Sequence, residues 1–271
     1  MDNSIAAVPN ILLAALPRKE YLKLLPDLSP VTLVEGDLLY EPNAPLTSVY
    51  FPQGCLVSLL TKVDRRLELE IGMVGREGMV GTPLALGIKV SAVRALVQGG
   101  GPALRMSRAR FLSVLQRSPP FRHAIYRYID VLIRQIGRTA ACNHFHVVEK
   151  RLARWLLMTR DRVAASEFRM TQEFLSHMLG VRREGVTEAA SSFQRDNLIE
   201  YSRGHIKILD HRGLEAASCS CYTAGSEAIA PWRPACRQIR PRQLAAGGAV
   251  LASAPIRTAP YSLLAPIASA R

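Results

Sequence analysis

The sequence predicts an α+β chain in which a β-rich N-terminal half precedes one long helix and a smaller, mainly helical unit. Short β-like runs separated by turns fill residues 31–106, and an apolar stripe at helical spacing covers residues 119–145. Two helical patterns joined by a glycine follow further along the chain. Many short strands with regular turns favour an N-terminal β-roll, similar to a jelly roll. At 271 residues the chain is long enough for two units, each with its own core.

Composition and charge narrow the class of protein. The chain is 48% hydrophobic and 21% charged, which is typical of globular proteins, and it lacks the run of about 18 apolar residues that a membrane span needs. Its N-terminus is acidic and lacks the basic segment of a signal peptide. Five scattered cysteines indicate a reducing compartment, so we expect a cytoplasmic protein. The net charge of +13 favours attraction to nucleic acid without locating a site.

The N-terminal half carries the strand pattern. We expect one or two short helices in the first 25 residues and a further short helix near residues 108–116. Glycine, proline and charged turns, including the glycine-rich turn at 98–101, separate the strands. The predicted strands are residues 31–34, 38–40, 48–51, 56–63, 67–74 and 90–97.

The predicted long helix begins at Ser118, followed by two prolines that suit a first helical turn. Its apolar residues recur every three or four positions, close to the spacing of a coiled-coil seam. This stripe has two interpretations, contact with a second copy of the chain, which we favour, and packing on the β-roll; both can hold. The stripe comprises Phe121, Ile125, Tyr128, Leu132, Ile136 and Ala140.

Residues 170–209 contain two short helical patterns around a glycine. Thr171 suits a helix N-cap and Glu173 lies in the first turn, while Gly180 can enter the left-handed conformation that ends a helix. A second helix is predicted from about residue 182 to 195. Two short helices joined by a tight glycine turn form a helix-turn-helix, whose second helix enters the DNA major groove. The outer face of that helix carries Arg182, Arg183, Glu184, Thr187, Glu188 and Ser191.

A β-hairpin pattern follows the two helices directly. Residues 198–201 and 205–209 read as two strands, and the segment 202–204 contains the glycine that a tight turn requires. Such a hairpin beside a helix-turn-helix is a wing. The combination is much more specific than either part, so it predicts DNA binding.

This block resembles the winged helix of the Crp–Fnr family of bacterial transcription regulators, whose pattern is roughly T-x-E-x-(I/L)-A-x-x-(L/V)-G-x-S-R-E-T-V-x-R. Arg182, Gly185 and Glu188 depart from it, which bears on the preferred DNA sequence. The segment 35–40 resembles the first strand of the family's β-roll, which is similar to cyclic-nucleotide-binding domains. The matching residues are Thr171, Glu173, Leu179, Gly180, Val181, Arg183, Glu184 and Val186.

The resemblance implies a sequence-specific transcription regulator that binds a near-palindromic operator as a homodimer, under the control of a signal at the β-roll. RNA polymerase is an expected partner if the protein is an activator. The alternative is a ligand- or redox-sensing module with weak or lost DNA binding. By resemblance, Arg183 reads guanine and Glu184 reads cytosine. The full set of expected DNA-binding residues is Thr171, Gln172, Arg182, Arg183, Glu184, Thr187, Glu188, Arg203 and Lys207.

Four segments are expected along the chain. Residues 1–118 form the sensor β-roll, 119–146 the dimerisation helix and 147–222 the winged helix-turn-helix. Residues 223–271 are rich in alanine, proline, arginine and glycine without a sustained period, so we expect a disordered tail.

The family's cyclic-nucleotide site has a counterpart that is incomplete in this sequence. In the family, a cassette of the form G-E-(L/I)-(A/G), followed by R-(S/T)-A, cradles the cyclic phosphate and neutralises it with arginine. Here residues 75–81 keep a glutamate, Glu77, in a glycine-rich turn, while the arginine is missing and only Lys89 lies nearby. We therefore do not expect cyclic AMP or GMP to bind in the usual manner. Another ligand in the roll, or no effector at all, remains open.

The sequence predicts no metal, no cofactor and no enzymatic activity. Cys142 and His146 share a helix face, but His144 points elsewhere, so these three residues do not converge. Cys219 and Cys221 have no second paired motif, and no cysteine cluster of the iron–sulfur type occurs near the N-terminus. Haem binding through a single histidine has no recognisable sequence motif, so the sequence does not test it. Phosphate-binding loops, nucleophile elbows and zinc-protease motifs are all missing.

Overall fold

The computed structural model describes residues 10–64 and 68–229 and has the predicted α+β architecture. The N-terminal half is a β-roll of two antiparallel sheets, with strand orders β1-β7-β3 and β2-β6-β4-β5. Two short helices, α1 (Ile11–Ala14) and α2 (Arg18–Leu24), precede it. The strands of the roll are β1 (Ser29–Leu33), β2 (Leu38–Tyr40), β3 (Ser48–Pro52), β4 (Leu56–Lys62), β5 (Glu68–Val74), β6 (Arg94–Gly99) and β7 (Gly101–Ser107).

The predicted strand at 90–97 differs most from the observed roll. The paired strand β6 begins only at Arg94, while Val90 forms an isolated bridge with Pro45. The strand β7, which follows the glycine-rich turn, lies between β1 and β3 and pairs with both. The turn at 98–101 therefore links two strands and lies at no helix start.

The C-terminal half contains the long helix and a winged unit. Its three short strands form one antiparallel sheet in the order β8-β10-β9. Among residues 10–64 and 68–229, no helix is both long and apolar enough to cross a membrane. The elements are α3 (Arg108–Arg117), α4 (Pro119–Phe145), α5 (Val148–Val163), β8 (Glu167–Arg169), α6 (Gln172–Leu179), α7 (Arg183–Arg195), β9 (Ile199–Ser202), β10 (His205–Ile208), α8 (His211–Ala217) and α9 (Ser220–Ile229).

The last helix, α9, enters the stretch for which we expected disorder. Residues 223–229 are helical, whereas residues 230–271 lie outside the described part of the chain. The helix is anchored at its start, because Cys221 and Tyr222 are buried and the Tyr222 hydroxyl donates to Asp161 Oδ2 at 3.0 Å. Composition alone could not reveal this anchor, which depends on a partner 61 residues away.

The apolar stripe of α4 faces the protein's own β-roll. Phe121, Ile125, Tyr128 and Leu132 are buried in the roll core, and Ile136 packs against it. The preferred interpretation of this stripe as a dimer seam was therefore wrong for most of its residues, because the roll offers a large apolar surface within the same chain. Packing on the roll was the alternative interpretation.

A second hydrophobic core joins the β-roll to the winged unit. Leu56, Leu60 and Met73, on strands β4 and β5, pack with apolar residues of α5, α6 and α7. Leu69 of β5 also approaches Gly180, where an added Cβ would lie 2.9 Å from the Leu69 Cδ1 atom. The roll and the winged unit thus share buried apolar surface, which favours a fixed arrangement between them.

Candidate nucleic-acid interface

The first helix of the pair, α6, is closed at both ends by the residues that the sequence pattern indicated. The Thr171 hydroxyl caps its start by accepting from the backbone N–H of Phe174 at 3.1 Å. Gly180 ends it with φ +60°, a left-handed conformation that glycine adopts readily. The chain turns here, and the N–H of Val181 donates to the Ser176 carbonyl at 3.0 Å. These contacts fix the angle at which the next helix leaves.

The second helix, α7, presents a polar outer face. Val186, Ala189, Ala190 and Phe193 are buried on its inner side, which packs on α5, α6 and β9. Arg182 serves as its N-cap residue without a side-chain cap bond. The exposed side chains near the start of the helix are Arg182, Arg183, Glu184 and Glu188.

These exposed side chains have the freedom that contact with DNA requires. Within residues 10–64 and 68–229, none of the four takes part in an ion pair within 4.0 Å. The N-terminal residues of a recognition helix contact base edges, and arginine pairs well with guanine. The start of α7 is therefore the part of the winged unit best suited to enter a major groove.

Two predicted contact residues, Gln172 and Thr187, are bonded to each other. The Thr187 hydroxyl lies 2.9 Å from Gln172 Oε1 and 3.0 Å from the carbonyl oxygen of Arg183, and it donates to these acceptors. Both side chains are partly buried between α6 and α7. This pair links α6 to α7 and so helps to set the position of α7.

The wing places further basic side chains beside the helices. Arg203, at φ +48°, and Gly204, at φ +79°, form the tight turn between β9 and β10, and Arg203 is exposed at its tip. Lys207 pairs with Glu167 of β8 at 2.9 Å, and the bond to this carboxylate raises the pKa of the lysine. The Tyr201 hydroxyl donates to the Met170 carbonyl at 2.7 Å, which ties the wing to the start of α6.

The glycine-rich turn after β5, at the position of the family's phosphate cassette, is occupied by the protein's own side chains. Glu77 accepts from the backbone N–H of Gly75 and forms a buried ion pair with Arg162 of α5, at 3.0 Å between Nε and Oε1. A Cβ atom on Gly78 would lie 2.1 Å from the Tyr128 ring. Tyr128 and Arg162 thus pack closely around this turn.

A buried carboxyl, Glu70, lies where the roll meets the winged unit. Its oxygens accept from the Ser58 hydroxyl at 2.6 Å and from the Trp155 indole N–H at 2.9 Å. Burial raises the pKa of Glu70 from 4.5 to about 7, against the lowering effects of these two bonds and of the charges on Arg162 and Arg154. The carboxyl therefore holds its proton at pH values at which an exposed glutamate is ionised.

We expect Glu70→Gln to flatten the pH dependence of stability. In the wild type, Glu70 loses its proton above pH 4.5 when the chain is unfolded, but only near pH 7 when it is folded. The free energy of unfolding therefore falls as the pH rises between those two values. The loss is on the order of 3 kcal/mol. Urea denaturation of both proteins at several pH values measures it, and the difference between them isolates Glu70. A difference that does not change between pH 4.5 and 7 would contradict the assignment.

A cluster of three cysteines and one histidine lies beside the hinge between α4 and α5. Cys142 of α4, His146 just after it, Cys219 and Cys221 place their sulfur and ring nitrogen atoms all within 4.8 Å of one another. Burial raises the pKa of Cys142 to about 12 and also raises that of Cys221, while the nearby charge of Arg154 opposes both shifts. His144, the third residue considered with this set, is exposed and packs its ring on Phe145.

Sequence reasoning considered the two halves of this cluster separately. Cys142 and His146 alone do not form a metal site, nor do Cys219 and Cys221. The fold brings the two pairs together, because α8 and α9 return the chain to the base of α4. The C-x-C spacing of Cys219 and Cys221 and the C-x₃-H spacing of Cys142 and His146 can be read from the sequence. No local pattern indicates that the two pairs lie next to each other in the fold.

The helix-turn-helix, its flanking wing and the exposed polar face of α7 are the features of a DNA-binding protein. Residues 150–217 match the Crp-like helix-turn-helix domain. The chain is 28% identical over 200 residues to the transcriptional regulatory protein btr of Bordetella pertussis, which covers 68% of this chain and 79% of that protein.

Solved structures of other bacterial proteins share the fold. FixK2 of Bradyrhizobium japonicum superposes with a TM-score of 0.62 at 13% identity, over 71% of this chain and 98% of that one. A transcriptional regulator of the CRP/FNR family from Thermus thermophilus gives a TM-score of 0.57 at 18% identity, over 70% and 98%. The chain thus contains a Crp-like helix-turn-helix domain and is similar to a DNA-binding transcription regulator over two thirds of its length.

Proposed function

We propose that the protein binds a near-palindromic DNA operator as a homodimer, with one α7 helix in the major groove of each half-site. The observation that carries this proposal is the exposed, unpaired polar face at the start of α7, next to a wing whose tip carries Arg203. Two-fold symmetric proteins read two half-sites about one helical turn apart. Such a regulator acts in the cytoplasm, where the DNA lies, and RNA polymerase is its partner if it activates transcription.

The residues of this interface take different roles. Arg183 reads guanine and Glu184 reads cytosine, with Arg182 and Glu188 beside them on the exposed face of α7. The remaining contacts go to phosphates, which set register and affinity without selecting a sequence. Those contacts come from Thr171 and Gln172 at the start of α6, Thr187 of α7, and Arg203 and Lys207 of the wing.

The dimer contact that we propose is the face of α4 opposite the roll. Tyr126 is 46% exposed and Ile133 is 62% exposed, and both lie on this face with Gly137 and Ala140. The small residues allow a second helix to approach closely. The helix that connects the roll to the winged unit would then run along the two-fold axis.

We expect Ile133→Glu to separate the dimer. A charged side chain in the centre of an apolar helix contact loses its hydration there, which costs several kcal/mol across two symmetric copies. Light scattering after size-exclusion chromatography measures the molar mass. Arg134→Glu, on the adjacent exposed position, is the matched control and should leave the dimer intact. A monomeric wild-type protein, or a dimeric Ile133→Glu variant, would contradict the proposed contact.

We propose that a signal reaches the DNA-binding surface through the turn after β5. That turn is bonded to α5 through Glu77 and Arg162, and α5 packs on α7. A ligand or modification that displaces Glu77 would shift α5 and so the two recognition helices. The nature of the signal stays open.

Selection of DNA from a random pool tests the proposed function. The purified full-length protein should recover a palindrome whose half-sites lie about 10 base pairs apart, at physiological salt. Arg183→Ala should recover the same palindrome with one symmetric position blurred. Sequence-indifferent, salt-sensitive binding by the wild type would overturn the proposal.

A further inference from the structure

The cysteine–histidine cluster has the dimensions of a tetrahedral metal site. The Sγ atoms of Cys142 and Cys219 are 3.5 Å apart, and Cys221 Sγ lies 3.8 Å from Nδ1 of His146. Bonds of about 2.3 Å to sulfur and about 2.0 Å to nitrogen place tetrahedral zinc ligands roughly 3.6–3.8 Å apart. Two of the six separations are therefore close to those of a zinc site, and all four potential ligand atoms lie within 4.8 Å of one another.

Two buried arginines of α5 place positive charge that would complement a negatively charged metal site. Arg151 and Arg154 of α5 are only 9% and 7% exposed, and the Nε atom of each is buried without a hydrogen-bond partner in the described part of the chain. Neither guanidinium forms an ion pair with a carboxylate there. A buried charge without a counter-ion is costly. Zinc with three thiolates carries a net charge of −1, so it supplies the missing negative charge beside them.

We propose that Cys142, His146, Cys219 and Cys221 bind one zinc ion through three thiolates and one imidazole nitrogen. On binding, each of the three thiols gives up its proton to solvent and forms a bond to the metal through sulfur, with no change in oxidation state. All four positions are filled by protein groups, as in structural zinc sites. The site needs no open position for a substrate.

The position of the ligands in the chain indicates what the metal does. Cys142 and His146 immediately precede the winged unit, while Cys219 and Cys221 lie at its C-terminal end, around the start of α9. His146 is the C-cap residue of α4, at the hinge before α5 begins at Val148. One metal ion thus closes the winged unit at its base and fixes its hinge to the long helix.

Metal analysis of the full-length, untagged protein tests the site without any DNA. The wild type is purified with a reductant and without a chelator, and is dialysed first against zinc and then against zinc-free buffer. It should retain about one zinc ion per chain. The Cys219→Ser/Cys221→Ser variant should retain none. His146→Ala removes a half-buried side chain, so the fold should survive. Zinc affinity should fall more than about 100-fold, which exceeds the loss expected when a residue only supports a ligand.

Two matched variants and a cobalt probe make the result specific. His144→Ala and Cys55→Ser change an exposed histidine and a buried cysteine outside the cluster, and both should keep the zinc. Cobalt added to stripped protein should give thiolate charge-transfer absorption that Cys219→Ser/Cys221→Ser loses. Wild-type protein without zinc, equal retention by the double-serine variant, or a Cys142–Cys219 disulfide in place of the metal would each overturn the proposal.

Discussion

Replacing Glu77 by alanine is expected to destabilise the protein by about 3–5 kcal/mol, because it leaves the Arg162 charge buried without its partner. Both side chains of the pair are 6% exposed, so water cannot take the place of the lost carboxylate. The Arg162 guanidinium would keep its bonds to the carbonyls of Met73 and Met158, which are neutral acceptors. Urea denaturation at neutral pH measures the change.

Two further variants distinguish loss of the charge pair from loss of packing. The double variant Glu77→Ala/Arg162→Met removes both charges and should be more stable than Glu77→Ala alone. Glu167→Ala breaks the Lys207 pair of the wing, whose side chains are 66% and 50% exposed, and should cost much less stability than Glu77→Ala. A similar loss in Glu77→Ala and Glu167→Ala would contradict the role of burial.

Arg183→Ala is expected to weaken operator binding by about 1–3 kcal/mol in each half-site, or roughly 5- to 150-fold per half-site. The loss follows from removing a side chain that donates two hydrogen bonds to one guanine. Because a dimer presents two copies of α7, the total fold-loss of affinity for a palindrome is the product of the losses in the two half-sites. Fluorescence anisotropy with a selected operator and with a base-substituted operator measures it.

The base-substituted operator separates base reading from phosphate contact. If Arg183 reads a guanine, replacing that base weakens DNA binding by the wild type strongly. The same base change hardly affects DNA binding by Arg183→Ala. Arg203→Ala, at the wing tip, is the matched control: it should weaken binding to both operators equally and reduce the salt slope by about 1 per subunit. An equal response of wild type and Arg183→Ala to the substituted base would exclude Arg183 as its reader.

The elements with local signals were predictable from the sequence. Thr171 and Gly180 act at the two ends of α6 as cap and stop, because those roles depend only on nearby backbone. The inner face of α7 and the wing turn at Arg203 and Gly204 follow equally local rules. Six of the seven β-roll strands were predicted from alternation and turns, with the start of β6 misplaced, and β7 was not among the predicted strands.

Features that depend on distant partners were not predictable. An apolar stripe on α4 indicates that something covers it, but not whether a second copy or the roll does so. The pairing of Glu77 with Arg162 and the convergence of Cys142 with Cys219 join residues 85 and 77 positions apart. No periodicity or motif encodes such contacts, because they depend on how the winged unit docks on the roll.

Methylation interference on the selected operator tests the central claim most directly. Methyl groups on guanine N7 block the major-groove edge that Arg183 is expected to contact. We expect methylation of one symmetric pair of guanines, about one helical turn apart, to prevent binding of the wild type and to have no effect on binding of Arg183→Ala. Interference at the same guanines in both proteins, or at none in the wild type, would contradict it.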